Sequence, residues 1–264
     1  MYKFGILGVG KMGGAILDGV VSAKLYDKKE ILLYSPEEEI KKAYEAKGFS
    51  FASSEKDLFS NSAMILISIK PQVFPIALPN ALDLDFNGRC ILSIAAGKNI
   101  KTVSSYFKNA TIVRAMPNLP ASIKEGAITV CSNEDNKLAD EAIKVLSSIG
   151  VVRKIKEEEM DDTLALNGSM PAYAYLFAKA FIDYAHKQGI DYDVARDLTC
   201  AAIKGSMDMI LANKETPIQT LIDNVCSKGG TTIAGLNKLY DNEFEKAIYE
   251  CSEACANRSR ELGK

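Results

Sequence analysis

The sequence has a single histidine, no Cys-x-x-Cys pair, no block of one-sign charge and no apolar run long enough to cross a bilayer. His186 sits beside Lys187 and Gln188 with no orienting partner in the sequence, which argues against a histidine general base. The six cysteines are scattered, excluding a disulfide framework and a structural zinc site. Cys251 and Cys255, spaced i,i+4, read as small core residues rather than soft-metal ligands, so no metal is expected. With 32 basic and 34 acidic residues intermixed, the net charge is −2 and no basic face for nucleic acid is visible. Lys24 to Lys29 is interrupted by Leu25, Tyr26 and Asp27, as in a solvated loop. The apolar start, Tyr2 to Leu7, runs into glycine far short of the roughly 18 residues a membrane span needs. It also lacks a basic leader and a cleavage site, so a strand in a cytoplasmic protein without a membrane partner is expected.

What is present is ordinary globular composition, 47% hydrophobic and 25% charged over 264 residues, enough for two modest domains. The first half alternates β-rich runs with helical stretches: Lys3 to Leu7 then Lys11 to Ala23, and Ile31 to Tyr34 then Glu37 to Ala46. Further apolar runs follow at Ala63 to Ile69, Cys90 to Ile94 and Thr111 to Ala115. Near-continuous apolar strands separated by helices are what a parallel sheet covered on both faces requires. Ala127 to Cys131 and Val151 to Lys154, flanking a helix from Asn136 to Ile149, extend the sheet. The fold class is α/β, an N-terminal Rossmann-type doubly wound sheet over 1–158. After Lys156 the β signal disappears, and 159–264 reads as an all-helical domain, with the boundary near Glu157 to Asp162.

In that helical half Tyr173, Leu176, Phe177, Ala180, Phe181 and Tyr184 form one stripe along a helix beginning at Pro171. Asp193 to Asn213 is apolar almost all round, which requires burial on more than one side. Thr216 is read as the cap of a third helix with Pro217 at its first position, and Phe244, Ala247, Ile248, Cys251 and Cys255 stripe a last one. These faces exceed what one copy can cover, so an obligate dimer is expected.

The chemistry begins at Gly8-Val9-Gly10-Lys11-Met12-Gly13, where a glycine loop follows an apolar strand and opens a helix. The first glycine permits the turn, the second lets backbone approach a pyrophosphate, and the third allows close helix-to-strand packing. The helix N-terminus offers free N–H groups to phosphates. The second strand ends at Tyr34-Ser35-Pro36 without the carboxylate that usually reads an NAD ribose, and Glu37 is placed in the first turn of the next helix. The Ser35 hydroxyl suits a 2′-phosphate, so NADP(H) is expected over NAD(H). Ile69-Lys70-Pro71 and Ala95-Ala96-Gly97 lie at carboxyl ends of parallel strands, where two readings stand: a seat for the nicotinamide, or ordinary turn chemistry. Ser227-Lys228-Gly229-Gly230-Thr231-Thr232 precedes a helix, either as an N–H concavity for a small carboxylate or as a flexible loop.

Together with Met116-Pro117-Asn118, Glu125-Gly126-Ala127 and Pro171-Ala172-Tyr173, these motifs run in an order that resembles the pyrroline-5-carboxylate reductase family across nearly the whole chain. The resemblance implies hydride transfer from NAD(P)H to the C=N carbon of 1-pyrroline-5-carboxylate, the last step of proline biosynthesis. It also implies a helical dimerisation domain in a homodimer, with rings of dimers in some members. By the same resemblance Ser227, Gly229, Gly230, Thr231 and Thr232 hold the substrate, with Thr232 facing the ring nitrogen as the catalytic residue. Ser54, Ile69, Lys70 and Asn118 join the glycine loop, Ser35, Pro71 and Ala95 to Gly97 in holding the cofactor. Two positions depart from the family pattern: Met170 stands where Gly is common and Lys228 where Pro is common. A related imine or hydroxy-acid reductase, or a non-catalytic dinucleotide sensor, is the competing reading.

Overall fold

The computed structural model describes residues 1–262; positions 263–264 of the expected second domain lie outside the described residues. Among the described residues eight strands form one sheet: β1 (Tyr2–Leu7), β2 (Ile31–Tyr34), β3 (Ser50–Phe51), β4 (Ser62–Ile67), β5 (Cys90–Ser93), β6 (Thr111–Met116), β7 (Gly126–Ser132) and β8 (Gly150–Lys154). Their order is β3-β2-β1-β4-β5-β6-β7-β8. Every pairing is parallel except β6 with β7.

The strands are apolar on both faces because both faces are covered. Alternate residues Ile6, Leu33, Leu66 and Leu92 meet Ile16, Leu17 and Val20 of α1 (Lys11–Ser22) and Ala142 and Leu146 of α6 (Lys137–Ser147). The same layer takes Ile40 and Tyr44 of α2 (Glu38–Glu45). Their neighbours Leu7, Ile65, Ile67 and Ile91 face Leu58 and Phe59 of α3 (Glu55–Asn61), Phe74 of the short α4 (Phe74–Ala77) and Val103 of α5 (Ile100–Ser104). Each fully buried Leu or Ile in these layers contributes about 1.5–3 kcal/mol of transfer free energy.

The antiparallel turn at β7 has a simple cause. From Met116 to Gly126 the chain has room only for a 3-10 turn, Leu119–Ile123, and a left-handed Lys124 (φ 65°). A parallel crossover needs a dozen or more residues, so β7 must return antiparallel, and β8 regains the parallel direction through α6.

The second half is helical: α7 (Met170–Lys187), α8 (Tyr192–Ala212), α9 (Ile218–Val225), α10 (Thr231–Asp241) and α11 (Phe244–Leu262). Asp191 caps α8 by accepting the Asp193 and Val194 amides. The third helix starts later than expected. Pro217, not Thr216, is the N-cap of α9, because the Thr216 amide closes a turn on Asn213 O while the Pro217 carbonyl accepts the Thr220 amide. A proline there forfeits no helical hydrogen bond.

Compact packing divides the chain after Ser169 rather than at 158/159, and among the described residues the stretch Cys255 to Leu262 packs with the first unit. Met160 is buried against Met116 and Cys131, and the Asn167 amide donates to Met116 O (2.8 Å), so the turns before Ser169 stay with the sheet. Ser259 donates to Asp161 (2.6 Å) and Arg260 pairs with Asp162, which hold the end of α11 to the same unit.

Candidate active site

In the first unit the glycine loop has the geometry its three roles require. Gly8 takes φ +91°, and a Cβ there would lie 2.8 Å from Ile69 Cγ2 and 3.0 Å from Ser68 O. Gly10 has nothing within 4 Å of an added Cβ, leaving open space in front of α1. At Gly13 a Cβ would come 2.3 Å from Gly8 O, so only glycine lets the helix reach the strand. No side chain caps α1, whose N-cap is Gly10, so the first-turn amides of Lys11, Met12 and Gly13 stay available to an anion. The dinucleotide's pyrophosphate fits this cradle.

Hydrogen bonds tie the carboxyl ends of the strands around that loop: Gly8 N–H to Tyr34 O (2.9 Å), Ser68 N–H to Leu7 O (2.9 Å) and Ile94 N–H to Ile67 O (3.2 Å). The expected cofactor residues 8–13, 35, 54, 69–71, 95–97 and 118 all follow carboxyl ends of strands in this one unit. They are not equally free. Ser54 is the N-cap of α3 and accepts the Asp57 amide. Ala95 is buried with the core while Ala96 is exposed and Gly97 takes φ +71°. The Asn118 side chain is committed at both ends, its Nδ2 to Asn167 O (3.0 Å) and its Oδ1 to the Ala127 amide (2.9 Å). It anchors the loop after β6.

At the tip of β2 the structure corrects the sequence reading. Glu37 is not inside the first helical turn but is the N-cap of α2, extended at φ −81°, ψ 114°. Its carboxylate accepts the hydroxyl of Ser35, which is buried at 7% exposure. Pro36 keeps Ser35 out of helical conformation, and α2 begins only at Glu38, with the acid of Glu37 facing back to Ser35. Beside it burial, and then the Glu55 carboxylate, raises the pKa of the Tyr34 phenol. The premise of a β2 tip without a carboxylate therefore does not hold. Ser68, whose hydroxyl and carbonyl lie against Gly13 and Gly8, also went unnoticed in the sequence, where its one signal is its place immediately after an apolar strand.

In the second unit the Ser227 to Thr232 segment joins α9 to α10. Gly229 is left-handed at φ +70°, the Gly230 amide donates to Ser227 O (2.9 Å), and Gly230 is the N-cap of α10 with no side-chain cap. A Cβ on Gly230 would come 2.2 Å from Ser227 Oγ, so the serine hydroxyl lies against the glycine backbone. The loop thus assembles a hydroxyl and uncapped helix amides, a set suited to a carboxylate. His186 stands apart from this loop in sequence and supports the end of α7, its Nδ1 lying 3.3 Å from Ile190 O. Leu176 and Leu198 are 68% and 67% exposed, and an apolar groove of about 550 Å³ is lined by Leu176, Phe177, Tyr184, Phe244 and Ile248. Among the described residues no group of His, Cys, Asp and Glu is arranged to hold a metal. No helix there is long and apolar enough to cross a membrane.

A family model described as "Pyrroline-5-carboxylate reductase dimerisation" matches residues 157–262, and one described as "NADP oxidoreductase coenzyme F420-dependent" matches residues 3–97. The pyrroline-5-carboxylate reductase of Synechocystis sp. is 32% identical over 269 aligned positions, which cover 99% of this chain and 98% of that protein. The chain belongs to the pyrroline-5-carboxylate reductase family. The pyrroline-5-carboxylate reductase of Pisum sativum is 30% identical over 99% of this chain and 96% of its own. Among solved structures, Plasmodium falciparum pyrroline carboxylate reductase with NADP bound aligns with a TM-score of 0.87 at 30% identity, covering 100% of this chain and 98% of that one. The Coxiella burnetii pyrroline-5-carboxylate reductase aligns at 0.91 with 26% identity, covering 100% and 99%. Family membership accounts for both halves of the chain: a dinucleotide-type unit, and a helical region with unpaired apolar faces that matches a dimerisation model.

Proposed function

We propose that this chain reduces the C=N bond of 1-pyrroline-5-carboxylate to give L-proline, the last step of proline biosynthesis, using a reduced nicotinamide dinucleotide. The observation that carries the reading is the Ser227 to Thr232 loop, a built anion cradle in the same chain as a complete glycine loop. A sensor needs the second and not the first. When bound, the cofactor supplies the hydride. The α1 amides hold its pyrophosphate, and the strand-end loops at Ile69 to Pro71 and Ala95 to Gly97 border the nicotinamide end.

The carboxylate of the substrate is held by Ser227, Thr231, the Gly229 amide and the uncapped first-turn amides of α10, with Gly230 shaping the loop through its own bond to Ser227 O. Thr232 presents its hydroxyl to the ring nitrogen. The carbon of a C=N bond is already electrophilic, so fixing it beside the donor supplies much of the rate through proximity and orientation. The match to an NADP oxidoreductase model supports a nicotinamide dinucleotide as the reductant without choosing between its two forms. The active form is a homodimer built on the helices of the second unit, and rings of such dimers are its larger assembly. Sedimentation at micromolar concentration checks this, and a monomer would remove it.

The experiment is direct: purified protein, NADPH or NADH, and pyrroline-5-carboxylate, following absorbance of the reduced nicotinamide. No oxidation with either cofactor defeats the reading. Unchanged turnover in Thr232→Ala removes the role of that hydroxyl alone.

A further inference from the structure

We propose that Glu37 sets the cofactor choice of this chain, accepting the adenosine ribose 2′-hydroxyl of NAD(H) and disfavouring the 2′-phosphate of NADP(H). The inference rests on the dinucleotide part of the proposed function and is independent of the identity of the substrate.

Placement comes first. The Gly8 amide donates to Tyr34 O at 2.9 Å, so the glycine loop and the tip of β2 are hydrogen-bonded neighbours. A dinucleotide whose pyrophosphate lies at the N-terminus of α1 extends its adenosine ribose over the end of the adjacent second strand. The side chains there are those of Ser35 and Glu37.

The chemistry follows from the proton count. The Ser35 hydroxyl has one hydrogen, and it is directed to the Glu37 carboxylate. With that proton committed, Ser35 offers only lone pairs, and Glu37 is acceptor-only while ionised. A ribose 2′-hydroxyl is a donor and completes this pair. A 2′-phosphate is an acceptor carrying close to two negative charges, so it meets a like charge and no side-chain donor on these two residues. NADP-type sites instead place an arginine near the 2′-phosphate. Here Glu37 is followed by Glu38 and Glu39, and among the described residues no cation pairs with Glu37. The Glu55 carboxylate close to Tyr34 adds negative charge on the same strand end.

The arrangement is also fixed rather than incidental. Ser35 is buried, Pro36 restricts the backbone between the two residues, and Glu37 is held extended at the start of α2. The hydrogen bond from buried Ser35 turns the exposed Glu37 carboxylate toward the end of β2.

The test is calorimetric binding of NAD⁺ and NADP⁺, and of ADP-ribose and its 2′-phosphate, to wild type and Glu37→Gln without substrate. The expected result is that wild type binds NAD⁺ more tightly than NADP⁺. In Glu37→Gln the ratio of the two dissociation constants moves toward NADP⁺ by about tenfold, and the ADP-ribose pair shows the same shift. A ratio that moves less than fivefold, or a wild type that prefers NADP⁺, overturns the proposal while leaving the reductase reading intact. Failure of both dinucleotides to bind overturns both. Ser35→Ala, which keeps the charge and removes the hydroxyl, retains the NAD⁺ preference; loss of that preference assigns discrimination to Ser35 instead and also overturns the proposal.

Discussion

Gly13 lies so close to Gly8 that a Cβ added at position 13 would come within 2.3 Å of the Gly8 carbonyl oxygen. A backbone atom cannot rotate away, so Gly13→Ala must push α1 off β1. Overpacking of this kind costs about 1–3 kcal/mol, and the displaced helix also withdraws its amides from the pyrophosphate. Gly10 is the internal control. It has φ −75° and open space around it, so Gly10→Ala changes stability by no more than about 0.5 kcal/mol and weakens dinucleotide binding alone. Urea unfolding and cofactor titration on the two variants read the contrast, and equal stability for both would remove the packing role given to Gly13.

Asn118 shows a different relation between a motif and its use. Its amide joins Asn167 O to the Ala127 N–H, both in the interior of the first unit. Asn118→Ala leaves a buried donor and a buried acceptor without partners, each costing about 1–3 kcal/mol. The expected outcome is a loss of about 2 kcal/mol or more in urea unfolding, with dinucleotide affinity changed less than about threefold. A variant of full stability but broken cofactor binding would make Asn118 a ligand rather than an anchor.

Much of this was legible from residue order. The glycine loop, the apolar strands β1, β2, β4, β5 and β6, and the aromatic stripe on α7 announce themselves because each is a local pattern with a single physical reading. Other features are decided by partners distant in sequence. β3 is two residues long and carries no periodicity, and the direction of β7 follows from the length of its connection. The first unit extends to Ser169 because Asn167 and Met160 find partners on β6 and β7, which no spacing reveals. Glu37 was visible as a residue and misplaced as a first-turn residue when it is the N-cap. The helix starts one residue later, at Glu38, and that start turns a dipole partner into a group facing Ser35.

Cys90 gives a pH dependence. Burial in the sheet pushes its thiol up to about 12 from an ordinary value of 9.0. A raised folded pKa means that the stability of the neutral thiol is fully present below the unfolded value and lost as pH rises toward the folded one. The unfolding free energy should therefore fall between about pH 9 and pH 12, by on the order of 2–3 kcal/mol at pH 11 from this group. Cys90→Ala lowers stability at pH 7 and flattens that alkaline decline. The slope is reduced and not abolished, because the Tyr26 phenol is also raised, by burial and then by Glu141. An unaltered slope in Cys90→Ala would show that the thiol does not titrate in this range.

The loop before α10 offers a test that separates geometry from chemistry. An alanine at 230 suits the backbone, since Gly230 has φ −79°, but its methyl group would lie 2.2 Å from Ser227 Oγ. That atom belongs to a side chain free to rotate, so the strain is relieved by swinging the hydroxyl out of the cradle rather than by unfolding. Gly230→Ala should then raise KM for pyrroline-5-carboxylate by about tenfold, the equivalent of one good hydrogen bond to a charged group, with stability within about 1 kcal/mol of wild type. Dinucleotide affinity, which depends on the other unit, stays unchanged. Ser227→Ala should match the effect, and because both changes remove the same contact, the double variant should be no worse than either single one. Additive losses would mean that the methyl group at 230 disturbs the substrate by a route other than the Ser227 hydroxyl.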